Sequence, residues 1–434
     1  MQLARRYDSQ STTISATEDS VERLSVVGFF AGIGGLELGL EQAGHCTTFL
    51  CEIMPEARAV LSAAAARGDT HSAFAGATIG VDVTNSDLGK KLPGRIDVLA
   101  AGFPCQDLSQ AGKTNGINGS RSGLIGHVLR ILKGRRRAGK PRWIILENVS
   151  FMRHLGDGIG MDVVLNGLSK LGYAWAYREI DTLAFGLPQR RKRLFIVACL
   201  LGEGDPRRVL LEGDFVPVEA RRGPGWQDGR ACGFYWTEGN RGVGWADDAI
   251  PTLKGGSGLG IPSPPAIILP PGGEIVVPTI RDAERLQGFP RGWTESAAQA
   301  DQRGERKRWM LVGNAVSVPV ARWIGERLSL ASQPLQLDGE PIRPGSKWPS
   351  AAWRVDPCGP RLSVALGGWP VQRRRIPLLS LLQEEKEERL ALSTKAASGF
   401  LSRFEASNLL KREPKHRAAF LEILRSHVDR THRA

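Results

Sequence analysis

The chain predicts an α/β fold: a doubly wound, mostly parallel sheet with a smaller loop-rich unit and a helical C-terminal tail. Two observations predict it. Over the first two hundred residues short apolar runs alternate with stretches of helical period, the rhythm of strand–helix–strand units. From about residue 200 to 277 that rhythm stops, and sequence rich in glycine and proline takes over.

The elements follow in order. A first strand is expected at 24–30, leading into the glycine loop Ala31-Gly32-Ile33-Gly34-Gly35 and a helix from Leu36 to Ala43. Glycines let a backbone turn sharply and approach a ligand where a strand meets a helix. The loop is not the G-x-G-x-x-G fingerprint, which argues against a nicotinamide dinucleotide. A second strand at 47–52 ends on Glu52, twenty residues after Gly32, where a carboxylate is placed to accept hydrogen bonds from ribose hydroxyls. A helix from Pro55 to Arg67 follows, and Asp82 is placed to end a third strand. The apolar run at 96–101 is stopped by Gly102 and Pro104, which leaves Cys105 on a loop at a strand's C-terminal end. In open α/β sheets that edge is where ligands bind. Taken alone, this setting suits a nucleophile and a structural turn cysteine equally. A helix from Gly123 to Arg137 precedes the strand 143–147, which carries Glu147-Asn148-Val149. A helix from Gly160 to Leu171 and strands at 177–182 and 193–199 complete the alternation, with Gln189-Arg190-Arg191-Lys192-Arg193 before the last. Helical signals return at Arg281–Leu286 and Ser317–Leu330, and again in a charged stretch from Leu378 to Ala434. There is no internal repeat.

Composition narrows the setting. Lys and Arg exceed Asp and Glu by 58 to 45, and the net charge of +13 suggests a polyanionic partner. The six cysteines are scattered without a C-x-x-C pair or a histidine cluster of zinc spacing, so neither a disulfide scaffold nor a metal site is expected. The polar N-terminus holds no signal-peptide core, and no run is long enough to cross a bilayer, which points to a cytoplasmic protein.

The motifs then agree with one another. Phe29-Phe30-Ala31-Gly32-Ile33-Gly34-Gly35, Gly102-Phe103-Pro104-Cys105-Gln106, Glu147-Asn148-Val149, Gln189 to Arg193, Arg285-Leu286-Gln287-Gly288-Phe289-Pro290 and Gly313-Asn314-Ala315-Val316 stand in this order along the chain. The chain resembles the cytosine-C5 DNA methyltransferases over about residues 24–330. The resemblance implies a class I, Rossmann-like methyltransferase that moves a methyl group from S-adenosylmethionine to C5 of a flipped-out cytosine in duplex DNA. By resemblance, Phe30, Gly32, Gly35, Glu52, Ile53, Asp82, Val83, Leu124 and Asn314 contact the cofactor. One departure is visible: the family often carries an acid near the start of the first motif, where this chain has Gly28-Phe29.

C5 of cytosine is a poor nucleophile until a thiolate adds at C6, so the chemistry requires a cysteine and an acid together. The resemblance gives Cys105 the covalent role and Glu147 that of acid at N3, with Arg191 and Arg193 near the Cys105 loop. Lys113, Asn115, Asn118, Ser120 and Arg121 follow in a glycine-rich segment that suits a lid over the base. Gln106, Ser109, Arg121, Gln189, Arg241 and Lys254 are candidate DNA contacts. The division expected is a flexible 1–23, a catalytic and cofactor-binding unit 24–199, a target-recognition region 200–277, a return to the catalytic unit at 278–332, and an extension 333–434 of unknown role. A monomer on double-stranded DNA is expected, as a solitary methylase or beside a cognate restriction endonuclease. An RNA cytosine-5 methyltransferase and a catalytically inactive DNA-binding protein remain the alternatives.

Overall fold

The computed structural model describes residues 22–68, 72–104, 123–217, 225–236, 243–256, 263–300, 304–383 and 389–433. Eight strands come from the first part of the chain: β1 (Ser25–Phe29), β2 (Cys46–Cys51), β3 (Thr78–Gly80), β4 (Val98–Gly102), β5 (Trp143–Val149), β6 (Tyr173–Asp181), β7 (Gln189–Arg190) and β8 (Lys192–Leu200). The middle contributes β9 (Cys232–Phe234), β10 (Ala246–Asp247), β11 (Ile250–Pro251), β12 (Ala266–Leu269) and β13 (Glu274–Val277). The last part adds β14 (Glu340–Pro341), β15 (Ala351–Arg354), β16 (Leu362–Ser363) and β17 (Leu390–Ala391).

A ten-stranded sheet runs in the order β14-β16-β15-β6-β8-β5-β4-β1-β2-β3. From β3 to β5 neighbouring strands are parallel, whereas β8, β6, β15, β16 and β14 join as antiparallel neighbours. Val27, Phe29, Leu99, Ile144 and Leu146 bury one face against the helices Leu124–Gly134 and Ile159–Lys170. Val26, Val98, Ala100 and Ile145 bury the other against α1 (Gly35–Gln42) and the helix Val318–Leu328. Strands covered on both faces need continuous apolar runs, which is what Val98-Leu99-Ala100-Ala101 and Ile144-Ile145-Leu146 supply. The chain leaves β1 towards β2 and β3 on one side and returns through β4 on the other, so the strand order reverses between β1 and β4. A ligand crevice forms at such a point, outside the strands' carboxyl ends.

A five-stranded sheet, β10-β9-β12-β13-β17, carries a separate apolar cluster, and β7 pairs with β11 alone. The antiparallel pairing of β13 with β17 brings the C-terminal segment into this second sheet. Its helices Thr394–Ala406 and Pro414–Arg433 contribute Phe400, Phe404, Phe420 and Leu424 to the cluster that contains Trp226 and Phe234.

Two elements differ from the sequence expectation. The sixth strand begins at Tyr173 rather than 177, because Tyr173, Trp175 and Tyr177 alternate onto the buried face while β8 pairs along the whole length. The third strand stops at Gly80, short of Asp82. Asp82 instead forms an Asx turn, its Oδ1 accepting from the Thr84 amide and hydroxyl at 2.8 Å each.

Candidate active site

A cleft of about 600 Å³ opens at the carboxyl ends of β1, β2, β4 and β5. All nine residues expected at the cofactor line it: Phe30, Gly32, Gly35, Glu52, Ile53, Asp82, Val83, Leu124 and Asn314. Glu147, Asn148, Arg193 and Pro104 line the same cleft.

The glycine loop is shaped by its neighbours. Gly32 and Gly34 take φ of +55° and +82°, a backbone that side chains rarely adopt. Gly35 meets the returning segment so closely that a Cβ there would lie 2.4 Å from the Val316 carbonyl. Glu52 ties the loop to β2: its Oε2 accepts from the Gly32 amide at 2.7 Å and its Oε1 from the Met54 amide at 2.8 Å. Ionised carboxylate oxygens accept more than one hydrogen bond each, so Glu52 keeps capacity for hydroxyls in the cleft. A Cβ at Gly32 would meet nothing within 4 Å, which leaves its backbone open to a ligand.

Glu147 stands near the end of β5, paired in register with Gly102 of β4. The residue is 8% exposed, and its Oε1 lies 3.2 Å from Nε of Arg193. Burial pushes its pKa above the usual carboxylate value, against the opposing pull of Arg193 and Arg191. Asn148 fixes the loop before the cysteine: its Nδ2 donates to the Phe103 carbonyl at 2.9 Å and its Oδ1 accepts from the Val149 amide.

The other expected residues divide. Arg191 is buried and donates to the carbonyls of Leu253, Gly313 and Ala315, joining β7–β8 to the Asn314 turn rather than reaching into the cleft. Gln189, expected at the DNA, is fully buried: its Nε2 donates to Leu286 O and Gln287 Oε1, and its Oε1 accepts from the Leu253 amide. An amide engaged at both ends inside the protein is a positioning group, and a basic surface motif does not reveal that its first residue points inward. Lys254 is exposed, with its Nζ 4.1 Å above the Tyr235 ring. Cys105, Gln106, Ser109, Arg121 and Arg241 lie outside the described residues, as does the glycine-rich segment expected to form a lid. Sequence reasoning missed Glu37, a buried acid in the same cleft. Its signal was an acid on the apolar face of a helix directly after the glycine loop.

Among the described residues no group of His, Cys, Asp and Glu is placed to hold a metal ion, and no helix is long and apolar enough to cross a membrane.

The C-5 cytosine-specific DNA methylase family model matches residues 24–215. The chain is 43% identical over 383 residues to the Type II methyltransferase M2.BsuMI of Bacillus subtilis (strain 168), covering 88% of this chain and 93% of that protein. It is 30% identical over 337 residues to the Type II methyltransferase M.NlaX of Neisseria lactamica, covering 70% and 96%. Among solved structures, the S. pombe Dnmt2 methyltransferase superposes with a TM-score of 0.49 at 18% identity, covering 71% of this chain and 98% of that one. With the Gly32–Gly35 loop, the Glu147–Arg193 pair and identity over nearly the whole length of such enzymes, the chain belongs to the C-5 cytosine-specific DNA methylases, which use S-adenosylmethionine as methyl donor.

Proposed function

We propose that this chain is the modification methylase of a Type II system, acting as a cytoplasmic monomer on a specific duplex sequence that a cognate endonuclease also reads. Two Type II methyltransferases matched over most of their lengths support the role. The observation that carries the chemistry is a buried carboxyl with a raised pKa in the same cleft as the glycine loop.

The residues present fit S-adenosylmethionine. Glu52 offers a carboxylate to ribose hydroxyls, Ile53, Val83 and Leu124 offer apolar surface to the adenine, and the open Gly32 backbone admits close approach. When bound, the cofactor supplies an electrophilic methyl group. Cys105 follows Pro104 at the cleft, and its thiolate adds to C6 of the extruded cytosine. That addition drives charge towards N3, where Glu147, whose pKa burial raises, donates a proton and leaves C5 nucleophilic. Arg193 fixes the Glu147 carboxyl, and Asn148 holds the Phe103 carbonyl, two residues before Cys105 in the sequence. Arg191 and Gln189 act as positioning residues beneath the site.

For the domains, we propose a catalytic unit comprising 24–199 and 278–332, and a recognition unit within 200–277 with Arg241 and Lys254 as DNA contacts. Gln106, Ser109 and Arg121 are proposed to meet the DNA beside Cys105. The test of the assignment is Cys105→Ser, expected to abolish methyl transfer while S-adenosylhomocysteine still binds. A duplex with 5-fluorocytosine at the target should trap the native enzyme as an adduct; turnover by the serine variant, or an adduct at another cysteine, overturns it.

A further inference from the structure

Glu37 sits in the third position of α1, 1% exposed, and lines the cofactor cleft. Neither carboxyl oxygen has a hydrogen-bond partner on another described residue. Its acidic neighbours are satisfied: Glu41 accepts from the amides of Thr47 and Phe74, and Glu52 from those of Gly32 and Met54. The space Glu37 fills is cut by a glycine on β1, since a Cβ at Gly28 would lie 2.2 Å from Glu37 Oε1. Gly28 is the position at which this chain departs from the family's acid. A carboxyl is thus delivered to the floor of the cleft from the helix rather than from the strand.

A buried polar group without a partner is costly and rare. Glu41 and Glu52 add repulsion to the desolvation, and burial pushes the Glu37 pKa up to about 8. What removes all these costs together is a cation that enters the cleft. We propose that Glu37 binds the α-ammonium group of S-adenosylmethionine, an inference that rests on the cofactor site proposed above. The ammonium offers three donors to two unpartnered oxygens, and binding it converts Glu37 to the carboxylate with release of its proton. The groups facing Glu37 are Gly28 on β1, Glu41 on its own helix and Glu52 at the end of β2, and neither of these acids supplies a compensating positive charge.

Calorimetry with three ligands tests this in the intact protein. S-adenosylmethionine carries both sulfonium and ammonium, S-adenosylhomocysteine the ammonium alone, and 5′-methylthioadenosine neither. Glu37→Gln should weaken the first two by about tenfold or more, the scale of a charged hydrogen bond, and leave the third unchanged. Buffers of different ionisation enthalpy should report about one proton released per S-adenosylhomocysteine at pH 7 in the native chain and none in the variant. In Glu37→Ala, the added change Gly28→Asp should restore much of the affinity by returning a carboxylate from the strand. Equal loss for all three ligands means a structural role and overturns the inference, as does loss for S-adenosylmethionine alone, which would assign the sulfonium. Glu52→Ala, which acts on the ribose, is expected to weaken all three. Should it weaken none, the cofactor site itself is wrong, separately from Glu37.

Discussion

In the ten-stranded sheet the five parallel strands come from one stretch, residues 25–149, and pair with one another in the order β5-β4-β1-β2-β3. The five-stranded sheet takes β9, β10, β12 and β13 from residues 232–277 and closes its edge with β17, more than a hundred residues later. Its core is correspondingly remote: Phe420 meets Phe234 at 5.0 Å between ring centroids and Trp245 at 5.4 Å. His416 is buried against Trp245 at 4.6 Å, and Arg403 donates to the Trp236 carbonyl. The large sheet presents the cleft mainly on strands from the first 150 residues, and the segment Gly313–Val316 returns from far along the chain to line it. The small sheet cannot close without the last forty-five residues of the chain.

Chemistry and structure separate most sharply at Glu147. Glu147→Gln is expected to lower kcat by roughly 10²–10⁴, the range for loss of a positioned acid, with S-adenosylhomocysteine affinity nearly unchanged. Its pH profile sharpens the assignment. A protonated Glu147 is lost as pH rises through its elevated pKa, so kcat should fall on the alkaline side. Glu147→Gln should lack that limb, and a limb that persists in the variant belongs to another group.

Phe420→Ala tests whether the tail is structural. Truncating a fully buried phenylalanine costs about 3–5 kcal/mol, and here the cost falls on the small sheet. DNA methylation should fall with the stability of that unit, while S-adenosylhomocysteine binding to the large sheet persists. Equal loss of both would mean that the two sheets unfold as one unit. A related exchange has an asymmetric outcome. Replacing residues 225–277 alone by those of a relative with a different target should give poorly folded protein, since β13 then meets a foreign β17. Replacing 225–277 together with 389–433 should give active enzyme with the relative's specificity, read by bisulfite sequencing. A chimera of the second kind that kept the parent's methylation site would place specificity elsewhere.

The same contrast explains what the sequence revealed. Ile144-Ile145-Leu146-Glu147 announces a buried strand that delivers an acid, because the apolar run and the polar residue after it are adjacent. The glycine loop, with Glu52 twenty residues on, is legible for the same reason. β14 to β17 were illegible because they are two to four residues long and gain their structure from pairing with distant strands. The inward turn of Gln189 and Arg191 is a tertiary fact, set by carbonyls of 253, 286, 313 and 315 that no local pattern brings near. Glu37 was overlooked because helical period marks its position as core without saying that the core there is a ligand site.

The smallest expected effect lies at Lys254, on the seam between the two sheets. Its Nζ rests over the Tyr235 ring, while the Tyr235 hydroxyl donates to the Thr252 carbonyl, so the side chain is oriented and exposed. An ammonium is a point charge without the planar fork that reads a guanine edge, and this favours phosphate over base as its partner. Lys254→Ala should therefore weaken cognate and non-cognate duplexes alike, by about 1 kcal/mol, and reduce the salt dependence of binding by about one unit of slope. Stability should change little, since an exposed cation–π contact contributes only about 0.5–1 kcal/mol. Binding measured against salt on two duplexes decides the matter. If Lys254→Ala instead relaxed the methylated sequence at a single base pair with the slope unchanged, Lys254 would read a base, and specificity would begin on the seam rather than within the small sheet.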